Sequence, residues 1–98
     1  MTPEDVRRLI EPELTALRTR GVTGLYVFGS IANGTAQPDS DVDLMVDYDP
    51  TSGFNLFDLS GLHLALSRRL RANVDLITKD SIHRRIRDRV LKEAVRIF

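Results

Sequence analysis

The chain contains no cysteine, which excludes a disulfide framework, a thiolate zinc site and a cysteine nucleophile and leaves packing as the source of stability. No apolar run approaches the length of a membrane span, and the opening MTPEDVRRLI carries acidic residues without an apolar core segment. A spanning helix and a secretory leader are therefore not expected, and the sequence predicts a cytoplasmic protein without membrane association. Net charge is also missing: 14 basic and 14 acidic residues cancel. There is then no general attraction to nucleic acid, and no interleaving of basic and aromatic residues to suggest a direct nucleic-acid contact.

What is present is enough for a folded globule. At 98 residues, with 42% hydrophobic and 29% charged side chains, residues 1–98 are read as one domain, too apolar for a disordered chain and too short for two cores. The charges are unevenly placed. Residues 1–67 hold ten acids and four bases, and residues 68–98 hold four acids and ten bases. Six aspartates and no Lys or Arg fall between Asp39 and Asp58, a density that repels itself unless cations or hydrogen-bond donors compensate it.

The pattern predicts the order α-β-β-α-β-α. Thr2, Pro3, Glu4 and Asp5 form a helix start, and Val6, Leu9, Ile10, Leu14 and Leu17 follow at helical spacing, giving a helix over 3–20. Gly24–Phe28 is a short apolar run suited to a buried strand, with Tyr26 and Phe28 as core residues, and a polar loop follows from Gly34 to Ser40. In 41–47, Val42, Leu44 and Val46 share one face and Asp41 and Asp43 the other, the signature of a strand with a charged side. After a turn at 49–53, Leu56, Leu59, His63, Leu66 and Leu70 predict a helix over about 55–71. Asn73–Thr78 is a third strand, and Ile82, Ile86, Val90 and Ala94 mark a last helix from about Asp80. The expected fold class is α/β (α+β), a small mixed sheet flanked by helices.

Aspartates one residue apart on a strand project from the same face, their Cα atoms about 6.5–7 Å apart. Asp41 and Asp43 are therefore candidate Mg²⁺ ligands, joined by Asp75 if the third strand pairs beside the second. Three carboxylates suit two-metal phosphoryl chemistry. Gly29 and Ser30, at the end of the first strand, allow a phosphate to approach the backbone and add a hydroxyl donor. The plainer alternative for the paired aspartates is a charged strand edge that suppresses aggregation. A calcium loop opening at Asp39 fails because Leu44 occupies its glycine position. His63 reads as a packed histidine and His83 as a surface one; Tyr48 has no assigned role. The cations of 84–92 read first as a solvated helix face, with a partner-docking surface or a nucleotide-phosphate contact as alternatives.

Gly29-Ser30, ten residues, then Asp41-Val42-Asp43 resembles the signature of the DNA polymerase β-like nucleotidyltransferase superfamily. The wider string YVFGSIANGTAQPDSDVDLMV, with the terminal RDRVLKEAV, resembles the minimal nucleotidyltransferase (MNT) antitoxins over nearly the whole chain. The resemblance implies Mg²⁺ and ATP held by Gly29, Ser30, Asp41 and Asp43, with Asp75 as third acid and metal ligand. It also implies a HEPN ribonuclease toxin as partner, neutralised by binding and by transfer of AMP to a toxin tyrosine. The sequence departs from many relatives after the Gly-Ser pair, where Arg-Ala-Arg-Gly is replaced by Ile31-Ala32-Asn33-Gly34, removing two arginines able to neutralise phosphate charge. A catalytically inactive antitoxin that only masks the toxin is the alternative this departure raises. A small transferase acting on a metabolite or an RNA end is a third reading, for which so short a chain leaves little room for a separate substrate domain.

Overall fold

The structure, a computed structural model, describes residues 1–98. Helix α1 spans Pro3–Ile10 and opens with a reciprocal cap: the Asp5 N–H donates to Thr2 Oγ1 at 3.2 Å and the Thr2 N–H donates to Asp5 Oδ2 at 2.9 Å. The helix expected to run to 20 is broken. A 3₁₀ turn at Glu11–Glu13 separates α1 from α2, Leu14–Thr19, because Pro12 has no N–H for the preceding turn and its ring crowds that turn's carbonyl.

Strand β1, Val22–Phe28, runs directly into a one-turn helix α3, Gly29–Asn33, followed by the loop to β2, Val42–Tyr48. Helix α4 covers Leu56–Leu70, β3 Val74–Thr78, α5 Arg84–Glu93 and β4 Val95–Arg96. The sheet order is β3-β2-β1-β4; β1 is antiparallel to both its neighbours, and β2 is parallel to β3. The mixed sheet and flanking helices are those expected, with three differences. Strand β4 and helix α3 are additional. Helix α5 starts at Arg84 rather than Asp80, after a 3₁₀ turn at Lys79–Ser81, because Ile82 is extended and the His83 ring caps the helix by accepting from the Arg85 N–H at 3.1 Å. Ala94, expected within that helix, is already extended and leads into β4.

The core lies on one side of the sheet, where Val6, Ile10 and Leu17 of the N-terminal helices and Leu62, Leu66 and Leu70 of α4 meet Leu25, Val27, Val42, Leu44, Val46 and Val74. The buried stripe of α4 is rotated from the one expected: Leu56 is 80% exposed while Leu62, absent from the expected stripe, is buried. Leu9 is likewise at the surface. On the opposite side Met45 is wholly buried and Ile82 nearly so. The terminus is pinned by Arg7, whose guanidinium donates to the carbonyls of Ile97 at 3.1 Å and Arg96 at 3.0 Å.

Helix α4 begins at Asn55, whose Oδ1 accepts from the N–H groups of Phe57 at 2.9 Å and Asp58 at 3.2 Å, while the Asn55 N–H donates to Asp58 Oδ2 at 3.0 Å. Because the free donors of the first turn depend on this cap, Asn55→Ala is expected to destabilise the fold by about 1 kcal/mol in urea unfolding.

Candidate functional site

The alternation of β2 that buries Val42, Leu44 and Val46 against the helices turns Asp43, Met45 and Asp47 to the opposite side. Asp43 has Phe28 as its partner on β1 and Asp75 as its partner on β3, so the two aspartates stand side by side across the parallel strands, whose spacing is about 4.8 Å. Asp41, exposed, lies just ahead of β2. None of the three carboxylates takes part in an ion pair; those of the chain join Glu4, Asp5, Glu13, Asp47, Asp58 and Glu93 to their partners. Partial burial, reinforced by the neighbouring charges of Asp75 and then Asp41, holds the Asp43 carboxyl above the ordinary aspartate range.

The turn after β1 closes directly on Asp43. Gly29 has φ +69°, and a Cβ placed on it would run into Asp43 Oδ2, with Cγ 3.1 Å away. A glycine is required there both by the left-handed backbone and by the carboxylate filling the space. Ser30, half-buried in the same turn, accepts the Thr35 N–H at its carbonyl (2.9 Å). The two positions at which the family resemblance leads one to expect arginine are otherwise engaged. Ile31 is buried in the main core, and Asn33 Oδ1 accepts from both the N–H (3.2 Å) and the hydroxyl (2.6 Å) of Thr35.

Gly29, Asp43 and Asp75 are thus brought together, with Asp41 two residues from Asp43 at the strand entrance. The carboxylates are not gathered into a finished cage: no trio of His, Asp or Glu side chains stands close enough to hold an ion as it is. The donor set is nevertheless chemically matched to a hard divalent cation, being carboxylate oxygen throughout. His63, expected as a packed residue, is exposed, with its Nε2 2.7 Å from the Val74 carbonyl. Of the aromatic residues, Tyr26 is only half-buried and lies between Lys79 (5.8 Å) and Arg96 (5.5 Å), while Tyr48 packs on Phe54 with ring centroids 5.0 Å apart. Residue order alone did not reveal that α5, with its cations, packs against α3.

The raised carboxyl of Asp43 has a pH consequence. Below the ordinary aspartate value of 3.8 the folded and unfolded states are both protonated and no penalty exists. As pH rises from there through the raised folded value, the native state must lose its proton against burial and repulsion, so this contribution to stability declines and then levels off. Asp43→Asn removes it. The difference in unfolding midpoint between Asp43→Asn and the parent should therefore grow in favour of the variant across that window and persist at neutral pH; a constant difference from pH 3 to 7 would contradict the assignment of the repulsion to Asp43.

With this geometry in view, the sequence matches the nucleotidyltransferase domain over residues 10–97. The chain belongs to that family. This nucleotidyltransferase is 35% identical to a protein of Methanocaldococcus jannaschii assigned as a protein adenylyltransferase, all of both chains being covered. It is also 35% identical to the protein adenylyltransferase MntA of Thermococcus cleftensis, covering 97% of this chain and 95% of that one. A solved structure assigned as a minimal nucleotidyltransferase superposes with a TM-score of 0.80 at 37% identity, over 97% of this chain and 95% of the other. The same fold recurs at lower identity in two toxin–antitoxin complexes. One, solved with AMP-PNP, gives a TM-score of 0.73 at 22% identity, over 94% of this chain and 72% of that one. The other, the tri-AMPylated Shewanella oneidensis HEPN toxin with its MNT antitoxin, gives 0.63 at 20%, over 94% and 71%. No helix of the nucleotidyltransferase is long and apolar enough to cross a membrane.

Proposed function

We propose that this nucleotidyltransferase is the antitoxin of a HEPN/MNT pair, transferring AMP from ATP to a tyrosine hydroxyl of its toxin and holding that toxin in a complex. The observation that carries the reading is the closure of the Gly29 turn on Asp43, which itself stands beside Asp75 in register. It is supported by the adenylyltransferase relatives and by the presence of this fold in complexes with AMP-PNP and with an AMP-modified toxin.

In this reading Gly29 and Ser30 bind the phosphates, the glycine by allowing close backbone approach and the serine through its hydroxyl. Asp41, Asp43 and Asp75 hold Mg²⁺, which when bound polarises the phosphoryl oxygens and neutralises charge developing on the leaving group. Asp75 orients the acceptor hydroxyl and takes its proton. The hydroxyl oxygen forms a bond to the α-phosphorus as the bond to the bridging oxygen breaks, and pyrophosphate leaves. An active site in the cytoplasm, served by cellular Mg-ATP, completes the proposal.

A binding-only antitoxin is the second reading, favoured by the replacement of phosphate-neutralising arginines by the buried Ile31 and the loop-forming Asn33. The two separate on incubation of the purified protein with Mg²⁺, labelled ATP and its HEPN partner, followed by intact-mass analysis. Transfer predicts label and the mass of AMP on a toxin tyrosine. An unmodified toxin that is still inhibited supports masking alone, and a toxin neither modified nor bound removes both.

A further inference from the structure

The cations on the acidic side of the sheet are already engaged: Lys79 with Asp47, and Arg96, over the Tyr26 ring, with the carbonyls of Phe98 at 2.9 Å and Thr23 at 3.3 Å. Between Gly21 and Ser67, a stretch that contains β1, α3 and β2, there is no Lys or Arg. Asp41, Asp43 and Asp75 already share that side, and a triphosphate brings further negative charge to it. Divalent ions would offset only part of the combined negative charge of the carboxylates and a triphosphate, so a further fixed positive group would strengthen binding. Lys79, next after β3, is engaged with Asp47 at 3.5 Å and lies over the Tyr26 ring.

Helix α5 packs against α3, the turn that begins at Gly29 and Ser30. At 100° per residue, Arg87 falls on the same side of α5 as Val90 and Leu91, the half-buried positions of the helix, whereas Arg85, Arg89 and Lys92 fall on the outer side. Arg87 is nevertheless exposed, because the packed part of the helix lies C-terminal to it. It is also uncommitted: among the α5 cations only Arg89 forms an ion pair, with Glu93 at 3.5 Å.

We propose that Arg87 is a nucleotide-binding residue, its guanidinium supplying from α5 the charge-assisted contact to the outer phosphates that α3 lacks. A guanidinium suits this position because its fork of donors engages two phosphate oxygens together and stays charged. The assignment rests on the nucleotide reading above and adds to it a cation brought by tertiary packing rather than by the loop motif.

The test is equilibrium binding of Mg-ATP to the full chain, by calorimetry, for the parent and four variants whose thermal midpoints are measured in parallel. Arg87→Ala is expected to weaken Mg-ATP by about tenfold or more. Arg87→Met, which keeps the length and packing of the stem, loses as much; Arg87→Lys recovers part of the affinity; Arg85→Ala, on the outer side, changes nothing. Arg87→Met binding as tightly as the parent would reduce the residue to a packing role, and an unchanged Arg87→Ala would overturn the assignment. A parent chain that binds no Mg-ATP sinks the nucleotide reading itself, an outcome distinct from a parent that binds and variants that do not differ.

Discussion

Replacing Asp41 and Asp43 together by alanine is expected to lower AMP transfer by three or more orders of magnitude, about 4 kcal/mol of lost transition-state stabilisation. The loss should fall on kcat rather than on toxin binding. Both carboxylates lie on the acidic side of the sheet, away from the core that Val42, Leu44 and Val46 form with the helices. Neither is in an ion pair whose loss would leave a stranded partner, and Asp43 is under repulsion from Asp75 and Asp41. The double variant should therefore melt no lower than the parent. Radiolabel transfer measured beside thermal unfolding checks both halves, and a variant that lost activity only by losing its fold would contradict the account.

The second large effect is expected at Gly29. Alanine there must adopt φ +69°, at a cost of about 1–2 kcal/mol, and its Cβ enters the space of the Asp43 carboxylate. Since the backbones of Phe28 before it and of Asp43 across from it are held by strand pairing, the carboxylate is the group that must move, and such a displacement is expected to reduce transfer by about a hundredfold. Gly34→Ala is the control. Gly34 has φ +80° with nothing within 4 Å of a Cβ, so it carries the same kind of backbone cost without touching the site. Both variants should lose several degrees of thermal stability, and only Gly29→Ala should lose activity. Equal losses of activity would mean that backbone strain, and not contact with Asp43, explains the requirement for glycine.

Much of this site was legible in the order of residues because β alternation is a local rule. Val42, Leu44 and Val46 cannot be buried together without turning Asp43 to the other side, and the apolar run before Gly29 marks the end of its strand. The position of Asp75 was only conditionally legible. Its register with Asp43 joins residues some thirty apart in a parallel pair, which requires the intervening α4 to cross over, and no short-range pattern encodes that pairing. Strand β4 was invisible for a different reason: two residues carry no period, and Val95–Arg96 is held by β1 and by the reach of Arg7 from α1. Pro12 did announce the break after α1, but the apolar spacing continued through it and masked the signal. For Leu56, the spacing to Leu59 and Leu66 was helical, yet Leu56 itself, at the capped start of α4, stands clear of the core that Leu59 reaches. The fate of Ile31 and Asn33 depended on packing alone: one fills the core, and the other shapes the loop that leads to Asp41.

The most direct test is a crystal structure of the chain grown with Mn²⁺ and a non-hydrolysable ATP analogue, with anomalous scattering used to locate the metal. The account predicts an anomalous peak within about 2–2.5 Å of carboxylate oxygens of Asp41 and Asp43, and phosphates lying over Gly29 and Ser30. A nucleotide seated elsewhere, or metal absent from those aspartates at saturating concentration, would contradict it.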